Sequence, residues 1–154
     1  MAEPIRFRKL LSAHVSAPIW PNGTRRLALP VTDPRTLHAI LVDAYASGFG
    51  QVPSFEDWWS TLTQDAEYDP ELIIIAATTD GEPIGLVQGW TSAFIKDFAV
   101  TPGWRGKGVG EALLLSIFHA YHLRGANSVD LKVVAENSVA IDLYRRLGMT
   151  EAPL

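Results

Sequence analysis

Apolar and polar residues change period several times along this chain. Ile5-Arg-Phe-Arg-Lys-Leu alternates apolar and basic residues, the period of a short strand. Ala17-Pro-Ile-Trp-Pro-Asn-Gly, with two prolines and an Asn22-Gly23 pair, reads as loop and turn. Arg25 to Val31 predicts a second strand. Thr32-Asp33-Pro34 opens a helix, with Asp33 as its cap and Pro34 at the first helical position. Leu37, Ile40, Leu41 and Ala44 follow at helical spacing, and Gly48 and Gly50 end the run. Ser54 opens a second helix whose apolar face is Phe55, Trp58, Trp59 and Leu62. Leu72-Ile-Ile-Ile-Ala-Ala-Thr is then continuously apolar, as for a strand buried on both faces. Asp80-Gly81 is a strong hairpin signal, with Pro83 to Trp90 as the partner strand and Ala93 to Val100 as a third. After a loop dense in glycine, a long helix runs from about Gly108 to Arg124, with Val109, Ala112, Leu113, Ser116, Ile117 and Ala120 on one face and Gly125 as its stop. Val129 to Val134 alternates again. Asn137 caps a last helix with Ala140, Leu143 and Leu147 inward, and Gly148 stops it. Strands first, then strand–helix–strand–helix, predict an α/β (α+β) fold: a mixed sheet covered by helices.

Composition narrows the function classes. A chain of 154 residues with 47% apolar and 19% charged residues matches one globular domain, not a disordered chain. The formal net charge of −4 disfavours a non-specific nucleic-acid binder and mildly favours a cationic small molecule as partner. The absence of cysteine removes disulfides, thiolate metal sites and a cysteine nucleophile. His119 and His122 lie in the long helix without a third ligand at metal spacing, and His14 and His38 have no supporting context, so no metal site is expected. No apolar run is long enough to span a bilayer, and the residues after Met1 are too polar for a signal peptide. The expected setting is cytoplasmic, with neither membrane nor nucleic acid as partner.

The chemistry concentrates in Arg105-Gly-Lys-Gly-Val-Gly, between an apolar strand and an amphipathic helix. Glycines at alternate positions let the backbone approach a ligand closely. N–H groups left free at the helix N-terminus, with the helix dipole behind them, favour a phosphate. Arg105 and Lys107 add positive charge. Two phosphate motifs fail here. Counting the Walker pattern from Gly103 reaches Gly108 but then Val109, not Lys, and the dinucleotide pattern from Gly106 and Gly108 meets Glu111 where glycine is needed. What remains is Arg-x-x-Gly-x-Gly at Arg105, Gly108 and Gly110.

That loop, within Phe98-Ala-Val-Thr-Pro-Gly-Trp-Arg-Gly-Lys-Gly-Val-Gly-Glu-Ala-Leu-Leu, resembles the GNAT superfamily of acyl-CoA-dependent N-acetyltransferases. A second block fits the same family: the strand Leu131–Val134, then Asn137, Ala140, Tyr144 and Leu147-Gly-Met149. The hairpin with Asp80-Gly81 also sits where the family places it, so the resemblance covers about Arg25 to Met149. It implies a mixed, mostly antiparallel central sheet flanked by helices, with a splayed strand pair holding acetyl-CoA. It also implies a division into residues 1–24 as an N-terminal extension and 25–154 as the acetyltransferase domain. Family members usually continue for another strand or two after Leu-Gly-Met, whereas here only Thr150-Glu-Ala-Pro-Leu follows. We therefore expect Ile5-Arg-Phe-Arg-Lys-Leu-Leu to fill that place in the sheet, within one chain or by exchange in a homodimer. The linker-like Pro-Ile-Trp-Pro-Asn-Gly also resembles the join between tandem domains of this kind.

Carried over residue by residue, the backbone of Phe98, Ala99 and Val100 would pair with the pantetheine arm at a strand bulge. The amides of Arg105, Gly106, Lys107, Gly108, Val109, Gly110 and Glu111 would hold the pyrophosphate. Asn137 would contact the cofactor arm; it reads equally as a helix cap, and the two roles are compatible. Tyr144 would protonate the leaving thiolate, or be an ordinary core tyrosine. Asp97 would draw the proton from the amine through water, or be a surface or capping carboxylate. Trp58, Trp59 and Trp90 line an acceptor pocket or pack as core. The resemblance implies an enzyme moving an acetyl group directly to a primary amine, on a small molecule or on a protein N-terminus or lysine. Without cysteine there is no thiol to carry the acetyl group. A catalytically silent acyl-CoA-binding or sensing domain of the same fold is the alternative.

Overall fold

The computed structural model describes residues 3–12, 14–29, 32–46 and 51–154. Its regular elements are, in chain order, β1 (Ile5–Leu10), β2 (Thr24–Leu27), α1 (Pro34–Tyr45), α2 (Phe55–Gln64), β3 (Ile73–Thr78), β4 (Pro83–Trp90), β5 (Phe94–Val100), α3 (Val109–Leu123), β6 (Ser128–Val133), α4 (Ser138–Arg146) and β7 (Thr150–Ala152). Single 3-10 turns at Pro70–Leu72 and Pro102–Trp104 lead into β3 and toward α3. The second strand is shorter than its sequence suggests, ending at Leu27. Val31, and the Gly48 and Gly50 assigned to the end of α1, lie outside the described residues.

The caps are those the sequence supplies. Asp33 accepts from the Arg35 N–H, Ser54 from Asp57 and Asn137 from Ala140, each using its side-chain oxygen to satisfy a donor the helix cannot. The N-cap of α3 is Gly108 at φ 94°, a left-handed conformation that leaves no polar side chain over the helix end.

Seven strands form one sheet in the order β2-β3-β4-β5-β6-β1-β7. Every neighbouring pair is antiparallel except β5 and β6. Helices cover both faces, so β3 sends Ile74 and Ala76 to one core and Ile73 and Ile75 to the other. This explains its unbroken apolar run. The larger core lies under α3 and α4, the smaller under α1 and α2.

Two details shape the middle of the sheet. Gln88 faces Asp97 while Gly89 faces Ile95, so Lys96 is an extra residue on β5. This bulge reverses the alternation: Ile95 and then Phe98 and Val100 join the α3/α4 core, while Ala99 joins the α1/α2 core. Beyond it, β5 and β6 share one ladder position, Phe94 with Asp130, with the Asp130 N–H on the Ala93 carbonyl at 3.1 Å. From there the two parallel strands part.

The first strand lies beside the last long one. Ile5–Leu10 pairs antiparallel with Ser128–Val133 on one side and with Thr150–Ala152 on the other. The sequence leaves the residues after Met149 without an element, but Thr150–Ala152 forms β7 at the sheet edge. Three residues with one apolar position are too short for a period to show.

Candidate active site

The parting of β5 and β6 opens a cavity of about 600 Å³. Phe98, Ala99 and Val100 form one wall, Leu131 to Val134 the other, and Asn137, Ala140 and Tyr144 of α4 close the α3/α4 side. The glycine-rich loop closes one end.

Loop geometry follows from its glycines. Gly106 at φ 73° and Gly108 at φ 94° occupy left-handed backbone that a side chain strains. Gly110 is the close approach: a Cβ there would sit 3.2 Å from the Phe98 ring. The helical ladder begins only with the Ala112 N–H on the Gly108 carbonyl at 3.1 Å. Among the described residues, the N–H groups from Gly106 to Glu111 find no well-formed acceptor within the protein. They converge at the positive end of the α3 dipole, a place suited to an anion.

Charged neighbours divide their work. Arg105 braces the loop, its guanidinium 3.2 Å from the Val100 carbonyl and 3.4 Å from that of Ala44. Lys107 lies over the Trp104 ring at 5.4 Å. Val109 turns its side chain into the core, leaving only its backbone for a ligand. Asn137 lines the cavity while its side-chain oxygen caps α4 at 3.3 Å, so its amide nitrogen stays available.

Tyr144 is 5% exposed and lies between the rings of Phe7 (6.1 Å) and Phe98 (6.2 Å). Burial, reinforced by the nearby Tyr45, pushes its phenol pKa well above the ordinary tyrosine range. It therefore holds its proton at neutral pH.

Of the expected catalytic and cofactor-binding residues, Lys107, Val109 and Asp97 stay off the cavity wall, as do Trp58, Trp59 and Trp90. Asp97 projects to the opposite face of β5, 9% exposed, and accepts from the Trp58 indole N–H at 3.1 Å and from Lys96 at 2.9 Å. Both bonds go to Oδ2, leaving Oδ1 without them. Trp58 is 3% exposed and so belongs to the core, with one polar contact to this carboxylate. Tyr45 joins the cavity wall without having been singled out. It lies four residues after Leu41, at the edge of the Leu37-Ile40-Leu41-Ala44 stripe, and the tertiary fold brings it to the slot. Burial, then the charge of Asp97, raises its pKa.

Comparison with known proteins agrees with this geometry. The acetyltransferase (GNAT) family model matches residues 35–149. Mycothiol acetyltransferase of Thermobifida fusca is 35% identical over 101 residues, which cover 66% of this chain and 25% of that protein. The crystal structure of a GCN5-related N-acetyltransferase from Sphaerobacter thermophilus superposes with a TM-score of 0.81 at 32% identity, over 97% of this chain and 50% of the other. The ribosomal-protein-S18-alanine N-acetyltransferase of Escherichia coli superposes with a TM-score of 0.70 at 26% identity, over 84% of this chain and 79% of the other. The chain thus spans a quarter of that mycothiol acetyltransferase and half of the Sphaerobacter chain. With the family model covering most of its length and the splayed slot in place, the chain belongs to the GNAT family of acetyltransferases.

Proposed function

We propose that this chain transfers an acetyl group from acetyl-CoA to a primary amine by direct attack in a ternary complex. The observation that carries this reading is the slot between β5 and β6, with free helix N–H groups at one end and a protonated, buried phenol in its wall. The residues present fit the cofactor. The unpaired N–H groups of Gly106 to Glu111 suit a pyrophosphate, and the backbone of Phe98 to Val100, unpaired where β6 departs, suits the amides of a pantetheine arm. Acetyl-CoA supplies an electrophilic thioester carbonyl and a thiolate leaving group.

The side chains divide the proton transfers. Asp97 Oδ1 takes a proton from the amine through water, on the α1/α2 face of β5. Tyr144 Oη gives a proton to the departing sulfur, on the α3/α4 face. Base and acid on opposite faces of one strand keep separate the proton taken from the amine and the proton given to the sulfur as the tetrahedral intermediate collapses. A backbone N–H at the bulge stabilises charge on the carbonyl oxygen. The acceptor is a small-molecule amine, or a protein N-terminus or lysine.

CoA-thiol release over a panel of amines tests the reading, with wild type and Tyr144→Phe side by side. Release with at least one amine class, falling about 100-fold in kcat for the variant, supports it. Tight acetyl-CoA binding with no release from any amine instead supports a silent acyl-CoA-binding domain.

A further inference from the structure

The helices α1 and α2 cover β4 and β5. No comparable helix cover lies over the same face of β6 and β1 among the described residues. Charged side chains occupy the middle of that face, with Leu10 and Ser128 at its end. Arg6 stands opposite Lys132 and Arg8 opposite Asp130 across the β1–β6 ladder, while Phe7 and Leu131 turn to the core behind. Lys96, thrown to this face by the bulge, lies at the boundary with β5.

The charge balance here opposes that of the whole chain. Among the described residues, Arg6 and Arg8 pair with Asp130, Lys96 pairs with Asp97 and Lys132 pairs with neither, which leaves two positive charges in a chain of net charge −4. Asp130 holds both arginines. Arg8 binds it through two nitrogens at 2.7 and 2.9 Å, and Arg6 through one at 2.7 Å. Arg6 also stacks on the Phe94 ring at 5.6 Å, and its Nε is buried with no partner among the described residues. Lys132 is exposed and makes no ion pair among the described residues. Cations placed directly opposite each other on a sheet destabilise it. Asp130 offsets this for Arg6, but Lys132 has no such partner among the described residues and needs an explanation outside the fold.

Position supplies one. Lys96 and Lys132 line the mouth of the β5–β6 slot, and the adjacent residue, Asp97, is the proposed base. We propose that this face docks an anionic group of the acceptor: the substrate class is a small-molecule amine that also carries a carboxylate or phosphate. Lys132 and the Arg6 guanidinium receive the anion, and the amine reaches past Lys96 to Asp97 and the slot. A held guanidinium matches a carboxylate or phosphate better than a free ammonium does. The inference rests on reading the slot as the place of transfer.

Matched amine pairs test it on the full chain: γ-aminobutyrate against its amide, and phosphoethanolamine against ethanolamine. In wild type the anionic member is favoured about tenfold or more in kcat/KM, the scale of one charge-assisted contact. In Lys132→Glu that ratio falls to about one. A ratio near one in wild type, or an unchanged ratio in the variant, overturns the proposal. Calorimetric titration of the same pairs in the presence of CoA reads docking without turnover. Selective binding of the anionic members with no acetylation defeats the transferase reading and keeps the docking face. Equal binding of both members defeats the docking face whatever the turnover.

Discussion

Tyr144 shows how much one residue's surroundings decide. A free phenol begins to lose its proton near pH 10, but burial between two rings moves that ionisation upward. The proposed general acid then keeps its proton across the whole working range. The kcat profile of wild type should show no alkaline limb from this group below about pH 10. Tyr144→Phe should lose about two orders of magnitude in kcat while its acetyl-CoA affinity changes little, because the phenyl ring still packs on Phe7 and Phe98. Gly89 is a structural counterpart. A side chain there would run into the Tyr121 hydroxyl, which donates to the Trp90 carbonyl at 2.7 Å. Gly89→Ala should cost about 3 kcal/mol, read as a lowered urea midpoint with an unchanged slope.

Among the elements, α3 makes the most direct prediction. Gly108 has left-handed backbone, and a Cβ there would come within 3.3 Å of Pro21, so any substitution carries some strain. Asp and Asn share that strain and differ in charge. Gly108→Asp should therefore bind acetyl-CoA at least about tenfold more weakly than Gly108→Asn, the excess reporting repulsion at the helix N-terminus. How legible an element is depends on how local its cause is. The caps at Asp33, Ser54 and Asn137 and the glycine loop are written within a few residues, and the sequence reads them directly. The side chains that fill the slot depend on distant partners. Asp97 has the right neighbours in sequence, but the bulge at Lys96 decides which face it takes. Tyr45 sits on the apolar period of α1, which reads as core and not as cavity wall. Short β7 escapes because its only cause is the strand beside it.

At the scale of the whole molecule, β1 binds the two ends of the chain into one sheet. Its seam with β6 carries the Arg8–Asp130–Arg6 cluster, joining residues 122 and 124 positions apart. The hydrogen bonds from Arg8, offset in part by burial and reinforced by Arg6, hold the Asp130 carboxyl below the usual aspartate range. A lowered folded-state pKa stabilises above the unfolded value near 4, and that stabilisation disappears as pH falls through the lower folded value. Asp130→Asn should therefore destabilise by about 2 kcal/mol at pH 7. The deficit against wild type, followed by urea titration, should hold above about pH 5 and shrink below about pH 4.

The same seam sets a clock. Residues 5–10 leave the ribosome about 120 residues ahead of their partners at 128–133. At about 5 to 20 residues per second, the strand waits on the order of ten seconds without its neighbours. During that wait its apolar face, Phe7 above all, is open to any other strand edge. The cations at Arg6, Arg8 and Lys9 then protect the strand, since charge on a waiting strand discourages the wrong pairing.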